Sequence, residues 1–290
     1  MLRNLLKKKI LAICNDAGGA NLIYFFLKKK KIKYNSFLEG PAKKIFQKNH
    51  KNNKKNLKAL INKADIIFLG TGKGSLEYKA LKIANFYKKY SIVFLDNWVN
   101  FKIRFNRKNN FLLPNEMWVF DEHAYKIALK TFNKKVLIKK KKNYYFEFLR
   151  KKKKNILNKN KVVYFSSNYD SFKKFSGLNK NFDIKILNNL LKKKNIIKSI
   201  LNIKDLKIDI LPHPSEDSKK YYYISKKYLN FVKILHKIKL VNIIRNYNYA
   251  ASTNSYALYM AKKLGLVTFN NIKKTGIHNS MPRNYIDYII

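Results

Sequence analysis

Cysteine is almost absent from this 290-residue sequence, in which Cys14 stands alone. A single cysteine excludes a disulfide framework and a metal site built from cysteines. Long apolar runs are also missing, and no stretch approaches the roughly 20 apolar residues that a membrane span needs. The stretch at 1–9, which is rich in basic residues, leads into an apolar run at 10–14 that is too short for a signal-peptide core. These absences predict a cytoplasmic protein.

Carboxylates and arginine are scarce as well. Asp and Glu number 16 against 64 Lys and Arg, and only six of those 64 are arginine, for a net charge of +48. Nucleic-acid readers favour arginine, because its guanidinium fork matches phosphates and guanine edges. The lysines are spread along the whole chain, and Lys, Asn and Ile are abundant together, as an A/T-rich coding bias would produce. We therefore interpret the charge as solvated surface and expect no specific nucleic-acid partner. Weak attraction to an anionic membrane surface or to nucleotides is the alternative.

Apolar material is plentiful, since 46% of the residues are hydrophobic and 14% aromatic. Apolar strand-like runs alternate with helical patterns along the chain, which is typical of parallel sheets covered by helices. Lysine-rich tracts at 139–142 and 151–161 mark a boundary between lobes. The pattern predicts an α/β fold of two Rossmann-like lobes, whose parallel sheets face a central cleft that holds the working site. The predicted segments are an N-terminal lobe at 1–145, a C-terminal lobe at 155–275 and a C-terminal tail at 276–290.

Glycine is also rare, and five of the nine glycines fall in two loops, each between a predicted strand and a predicted helix. Open α/β sheets bind ligands at the carboxyl ends of their strands, where helix N-termini offer free N–H groups. The spacing matches neither the dinucleotide fingerprint nor a Walker loop. The two loops are either ligand loops on the acceptor side of the cleft or ordinary tight turns. Their glycines are Gly18 and Gly19 in the first loop, and Gly70, Gly72 and Gly74 in the second.

Carboxylates follow several of the predicted strands of the first lobe. Asp16 stands inside the first glycine loop, where it could deprotonate a substrate hydroxyl or simply cap the following helix. Asp121 and Glu122 also follow a strand, and could bind a substrate hydroxyl or cap a helix. Both interpretations stay open for each of these positions.

A polar and aromatic segment follows the predicted strand at 91–95. It contains Asp96, one of the two tryptophans (Trp98) and one of the six arginines (Arg104). Trp98 could stack on a sugar or a base, or belong to the core of the lobe. Asp96 could serve as a base or cap a turn. Because the segment follows the carboxyl end of a strand, we expect it to border the cleft.

Two polar segments follow predicted strands of the second lobe. His213 lies between two prolines, Pro212 and Pro214, which fix the turn and direct the imidazole. A histidine so placed can hydrogen-bond or protonate a departing phosphate oxygen, or be an ordinary turn residue. Further along, hydroxyls and free N–H groups at the start of a predicted helix form a candidate phosphate site. Its residues are Ser252, Thr253, Asn254 and Ser255.

These motifs resemble a known family. A strand, the pair His213-Pro214, a Ser/Thr cluster about forty residues later, and then Gly265 and a strand resemble the second lobe of GT-B-type glycosyltransferases. More narrowly, they are similar to the HP and S/TS motifs of bacterial sialyltransferases and polysialyltransferases, and UDP-GlcNAc 2-epimerases share the layout. The best-matched stretch is 205–269. The resemblance implies that His213 and the residues Ser252, Thr253 and Ser255 bind the phosphate of CMP.

The acidic motif that carries the base in those families, two acids followed by glycine, is not found, because Asp121-Glu122 is followed by His123. Asp16 and Asp96 are therefore rival candidates for the base. The sequence predicts a glycosyltransferase that moves a sugar from a nucleotide-activated donor, CMP-linked in the narrower resemblance, to an acceptor glycan of the cell envelope. No cofactor or metal is expected, and the protein could lie peripheral to the inner membrane. A nucleotide-sugar 2-epimerase-like enzyme and a charge-driven nucleic-acid-binding protein are the alternatives.

Overall fold

Two separate parallel β-sheets organise the chain in the computed structural model, one in each of two units, residues 1–148 and 149–290. The structure describes residues 6–46, 56–71, 75–107, 110–152, 160–169, 181–213, 216–236, 238, 240–276 and 281–290.

The first unit is built around a six-stranded sheet with the order β2-β1-β3-β4-β7-β8, in which every pairing is parallel. Strands of this sheet are short apolar runs, as expected where helices cover both faces of a sheet. The central β1 is buried at every position. A separate antiparallel pair, β5 and β6, lies outside this sheet. The strands are β1 (Ile10–Cys14), β2 (Tyr34–Leu38), β3 (Ile66–Leu69), β4 (Tyr90–Phe94), β5 (Asn106–Arg107), β6 (Asn110–Phe111), β7 (Glu116–Val119) and β8 (Leu137–Lys140).

Helices connect these strands and bury one apolar side against the sheet. Phe26 of the first helix illustrates the packing, because its ring contacts Phe68, Phe94 and Trp118 from three different strands. Edge-to-face contacts of this kind stabilise a core beyond the area they bury. The helices are α1 (Ala17–Lys29), α2 (Ala42–Ile45), α3 (Leu57–Lys63), α4 (Leu76–Phe86), α5 (Phe101–Phe105), α6 (Glu122–Phe132) and α7 (Tyr144–Lys152).

The second unit repeats the plan with a six-stranded parallel sheet in the order β11-β10-β9-β12-β13-β14. Its strands are β9 (Lys161–Phe165), β10 (Lys207–Leu211), β11 (Val232–Ile234), β12 (Tyr249–Ser252), β13 (Val267–Asn270) and β14 (Tyr288–Ile289). The described helices are α8 (Phe182–Lys192), α9 (Lys194–Leu201), α10 (Tyr222–Lys227), α11 (Leu240–Asn246) and α12 (Tyr256–Lys263), with 3₁₀ turns at Ser218–Tyr221 and Arg283–Tyr285. Two parallel α/β sheets confirm the predicted fold class.

The last residues differ from the tail that the sequence predicts at 276–290. Tyr288 belongs to β14, which extends the second sheet, and its ring stacks on Phe269. Tyr285 is buried and contacts Tyr259 of α12. The correction has a simple cause, because aromatic side chains near the end of a charged chain gain more from packing on the sheet than from solvent. None of the helices in the described ranges is long and apolar enough to cross a membrane.

Candidate functional site

In each sheet the strand order reverses beside the first strand of the unit. β1 lies between β2 and β3, and β9 lies between β10 and β12. Connections to the two sides then leave in opposite directions, so the carboxyl ends of these strands border a crevice suited to a ligand. Each unit therefore has one candidate edge, which the loops after its central strands line.

The first glycine loop and the start of the second pack directly on each other at the edge of the first sheet. A Cβ atom on Gly19 would lie 2.6 Å from Cα of Gly70, and one on Gly18 would lie 1.9 Å from Oδ2 of Asp96. Any side chain at either position would displace backbone or a carboxylate, so the approach requires glycine. Sequence-predicted site residues from β1, β3 and β4 are thus brought together. Gly72 and Gly74 lie outside the described residues.

Asp16 occupies the N-cap position of α1, but its side chain makes no capping hydrogen bond. Its Oδ1 instead accepts a hydrogen bond from Nδ2 of Asn15 at 3.1 Å. The side chain is half-buried. The side chain of Asp16 therefore contacts Asn15 and does not form the cap that the sequence left open.

Asp96 forms an ion pair with Arg104 that closes the neighbouring loop. Nη1 of Arg104 lies 2.7 Å from Oδ1 of Asp96 and donates to Oγ1 of Thr71 at 2.6 Å, while Nη2 donates to Asn97. Thr71 also contacts the same oxygen of Asp96 at 3.2 Å. Because two donors already engage Oδ1, the carboxylate holds the loops after β3 and β4 together. This duty makes Asp96 the weaker of the two candidate bases.

Glu77, in the first turn of α4, is a buried carboxylate that sequence reasoning missed. Its Oε1 accepts the backbone N–H of Asn15 at 2.7 Å, whereas Oε2 is buried without a hydrogen-bond partner among the described residues. Burial raises the pKa of Glu77 and the nearby charge of Asp16 adds to the rise, against the lowering by the Asn15 N–H. Glu77 also lines a pocket with Gly70, Thr71 and Arg104. A third carboxyl group thus borders the Asp16 loop.

The remaining candidates of the first unit have structural partners. Trp98 is only 5% exposed and its ring meets that of His123 edge-on, which fits the core interpretation rather than stacking on a ligand. Asp121 caps α6, accepting the N–H of Ala124 at 2.7 Å, as the plainer of the two predictions has it. Glu122 pairs with Lys140.

At the edge of the second sheet, hydroxyl groups from the loops after β9 and β12 form a cluster. Oγ1 of Thr253 lies 2.8 Å from Oη of Tyr169 and 3.1 Å from Oγ of Ser167, and Ser167 also approaches Ser252 at 3.5 Å. Burial raises the pKa of Tyr169, so its hydroxyl keeps its proton and remains a donor. Such neutral donors suit the oxygens of a phosphate.

Two of the predicted phosphate residues have a structural role in addition. The buried Ser252 donates to the carbonyl of Phe165 at 2.6 Å, and Ser255 caps α12 by accepting the N–H of Ala257 at 3.3 Å. Asn254 is half-buried beside them. Thr253 and Ser252 are members of the predicted quartet that contact Ser167 of the hydroxyl cluster.

His213 has an exposed side chain on a loop whose backbone is fixed. The backbone N–H of His213 donates to Oε2 of Glu216 at 2.8 Å. Glu216, whose side chain is 1% exposed, also accepts from Ser166, which follows β9. His213 is thus an exposed residue on the loop after β10, and this loop lies next to the loop after β9 because the two strands pair. Pro214, predicted to help fix this turn, lies outside the described residues.

Comparison with solved structures identifies the architecture. MnaA of S. aureus, in a structure with UDP, superimposes with a TM-score of 0.63 and 12% identity over 91% of this chain and 78% of that chain. UDP-GlcNAc 2-epimerase from Neisseria meningitidis, bound to UDP-GlcNAc, superimposes with a TM-score of 0.59 and 13% identity, covering 90% of this chain and 82% of that chain. A variant of the wall teichoic acid polymerase TagF superimposes with a TM-score of 0.50 and 12% identity, covering 100% of this chain and 78% of that chain. The chain has the GT-B fold. No protein-family model matches the sequence, and no curated protein matches it either.

Within this GT-B fold, the residues that sequence reasoning missed are those defined by tertiary contact. Ser167 and Tyr169 follow β9 directly, so the rule that finds His213 after β10 could have found them. Glu77 and Glu216 offer no comparable local signal. Among the residues that the structure describes, no three His, Cys, Asp or Glu side chains are grouped as a metal site requires.

Proposed function

We propose that the chain is an enzyme acting on a nucleotide-activated sugar, and specifically a glycosyltransferase. The observation that carries the proposal is the hydroxyl cluster of Ser167, Tyr169 and Thr253 on the loops beside that of His213, at the sheet edge where a GT-B fold offers its crevice. Structural neighbours in complex with UDP or UDP-GlcNAc support a nucleotide sugar as the partner.

The proposed mechanism is a direct displacement with inversion. Asp16 takes the proton of an acceptor hydroxyl, and the freed oxygen forms a bond to the anomeric carbon of the donor sugar. The bond between that carbon and the phosphate oxygen breaks, and the electron pair leaves with the nucleotide. His213, Thr253 and the N–H groups at the start of α12 stabilise the departing phosphate. The donor is assigned to the second unit and the acceptor to the first.

The finer features of the proposal come from the sequence. CMP as the nucleotide, a glycan of the cell envelope as the acceptor, and a cytoplasmic site of action at the inner surface of the membrane all follow from the resemblance and from the basic surface. No cofactor or metal is invoked, because histidine, hydroxyls and helix N-termini can offset the charge of the leaving phosphate.

A nucleotide-sugar 2-epimerase is the second candidate function, and Glu77 is the observation that favours it. The sparse acidic residues count against an epimerase in the sequence, but the fold gathers Glu77 beside Asp16 and so supplies an additional carboxylate. Epimerisation needs no acceptor. Incubation with UDP-GlcNAc alone would yield its stereoisomer if the enzyme is an epimerase, whereas a transferase would leave the sugar configuration unchanged.

A thermal-shift panel with CMP, CDP, UDP and GDP tests the proposal. We expect at least one nucleotide to raise the Tm of the wild-type protein, and His213→Ala to remove that shift. His236→Ala is the matched control, because His236 is an exposed histidine of the same unit that contacts Tyr222. If no nucleotide stabilises the wild type, the proposed function is wrong. If one stabilises His213→Ala equally, His213 is not the phosphate ligand.

The charge-driven alternative is separated by salt. A nucleic-acid-binding protein would lose about 10³–10⁵ in DNA or RNA affinity between roughly 50 and 200 mM salt if it contacts 6–10 phosphates. We expect only weak binding that modest salt abolishes, in line with a lysine-rich solvated surface.

A further inference from the structure

Lys220 links two buried carboxylates of the second unit. Its Nζ lies 2.8 Å from Oδ2 of Asp183 and 2.8 Å from Oε1 of Glu216. The side chains of Asp183 and Glu216 are 2% and 1% exposed, and that of Lys220 is 21% exposed. Burial alone would lower the pKa of Lys220, but its hydrogen bonds to the two carboxylates outweigh burial and raise it. The lysine is therefore charged, and its single positive charge attracts both carboxylates and reduces the repulsion between them.

Each of these carboxylates holds the backbone of a different loop at the edge of the sheet. Oδ1 of Asp183 accepts the N–H of Tyr169 at 2.9 Å, and Oε2 of Glu216 accepts the N–H of His213 at 2.8 Å. Hydrogen bonds from N–H groups to carboxylates are stronger than those between neutral groups and fix the donor closely. The one bridging cation thus connects the loop after β9 with the loop after β10.

Both loops carry groups that bind the nucleotide phosphate in the proposed function. Tyr169 supplies a hydroxyl to the cluster around Thr253, and His213 supplies the imidazole. Glu216 further accepts from Ser166, and Tyr221 donates to the same Ser166 at 2.9 Å, so the network reaches the end of β9 as well. The contacts of Glu216, Ser166 and Tyr221 therefore link the His213 loop to the end of β9.

We propose that Lys220 is a positioning residue of the nucleotide site: by bridging Asp183 and Glu216 it holds the His213 and Tyr169 loops at a fixed separation. The lysine acts through the two carboxylates rather than by contact with the phosphate. The expected effect on nucleotide affinity rests on the proposed function. The expected effect on the two backbone amides rests on the contacts alone.

Lys220→Met tests the inference in two measurements. The first is hydrogen–deuterium exchange of the Tyr169 and His213 amides, which we expect to speed up at least about tenfold relative to wild type. The second is affinity for the nucleotide that stabilises the wild type most, which we expect to fall at least about tenfold, since small displacements of binding groups are costly. Lys220→Arg, whose fork can still reach two carboxylates, should recover most of both.

Lys262→Met is the matched control. Lys262 pairs with Asp287 in the same unit, but Asp287 accepts the N–H of Thr268 in β13, away from the site loops. In this variant exchange should rise at Thr268 and not at His213 or Tyr169, and nucleotide affinity should stay within about twofold of wild type.

A second variant covers the case in which Lys220→Met does not fold, since it leaves two buried carboxylates without their cation. Lys220→Met combined with Asp183→Asn and Glu216→Gln removes all three charges and keeps an acceptor oxygen for each N–H. The inference predicts lowered affinity here too, because the cation that bridges the two side chains is gone. Wild-type exchange and wild-type affinity in either folded variant would overturn it. Failure of the wild type to bind any nucleotide would refute the proposed function, while the exchange measurement would still decide the role of Lys220.

Discussion

The carboxyl edge of the first sheet is lined by acids, whereas that of the second sheet is lined by hydroxyls. Asp16, Glu77 and Asp96 gather at the first edge, although the whole chain has only 16 acidic residues. At the second edge the nearby acids, Asp183 and Glu216, are turned inward onto Lys220. In the proposed function the first edge moves the proton and the second holds the phosphate, although the strand order beside β1 and β9 is the same.

Removal of the proposed base should have the largest effect. Asp16→Asn is expected to lower turnover of the nucleotide sugar about 10²–10⁴-fold, the usual contribution of general base catalysis, with little change in nucleotide affinity. Glu39→Gln is the control, since Glu39 is an exposed carboxylate just after β2. If Asp96→Asn abolishes turnover and Asp16→Asn does not, the base is Asp96 and not Asp16.

The second edge should respond in affinity rather than in turnover. Thr253→Val keeps the shape of the side chain but removes the hydroxyl that Tyr169 and Ser167 contact. We expect nucleotide affinity, measured by calorimetry, to fall about five- to tenfold, the value of one hydrogen bond. Thr275→Val, which removes a hydroxyl bound to the carbonyl of Ile272, should leave affinity unchanged. If Thr253→Val loses turnover but keeps full nucleotide affinity, the second edge does more than bind the phosphate, and the comparison of the two edges is wrong.

Asp121 separates a structural acid from the acids of the first edge. Asp121→Ala removes the cap on α6 and should cost about 1 kcal/mol of stability, or about 2–4 °C in Tm for a unit of this size. Turnover and nucleotide affinity should be unaffected. If a stably folded Asp121→Ala variant loses turnover, Asp121 belongs to the substrate site and is not only a helix cap.

Glu77 should reveal itself through pH. Its raised pKa means that the folded protein binds the proton more tightly than the unfolded chain, whose carboxyl titrates near 4.5. The stability it contributes is present below that value and is lost as pH rises through the raised pKa. Glu77→Gln, which cannot ionise, should therefore exceed the wild-type Tm by about 1–2 °C near neutral pH, and the gap should close on acidification.

Glu116 provides the control of opposite sign for this measurement. Burial alone would raise the pKa of Glu116, but hydrogen bonds from Lys139, Tyr90 and Trp118 outweigh burial and lower it. Its contribution to stability is present at neutral pH and is lost as pH falls through its lowered pKa. Glu116→Gln should thus lie below wild type at neutral pH. If the Tm of both variants moves in the same direction, the account of Glu77 is wrong.

The fold was predictable from the sequence because the patterns that indicate strands, loops and helices are local. Apolar runs such as 10–14 and 91–95 are followed by glycine or acid and then by a helical pattern, and each became a strand and loop of a parallel sheet. The loops at Gly18 and Gly70 were found for the same reason, since glycine is scarce enough to stand out. Strand ends moved by a residue, as with β4, predicted at 91–95 and observed at Tyr90–Phe94.

The partners of the site residues were not predictable, because they come from distant parts of the chain. Glu77 meets Asn15 across 62 residues, and Ser166 meets Glu216 across 50. The same limit left two interpretations of Asp16 open. In the fold its side chain makes no capping hydrogen bond, and its role as a base belongs to the proposed function. A lysine among 64 basic residues carries no signal in the sequence, so the bridging Lys220 had to come from the structure.

The close approach of the two glycine loops has a consequence for the gene. Glycine codons begin with two guanines, and a single guanine-to-adenine change turns them into codons for serine, arginine, aspartate or glutamate. At Gly18 any of these side chains would start 1.9 Å from Asp96, and at Gly19 it would start 2.6 Å from Gly70. In a genome drifting towards A and T, these codons are points where the commonest mutation would disrupt the edge of the sheet. At the first edge, drift of base composition and the packing of the fold are therefore in direct conflict.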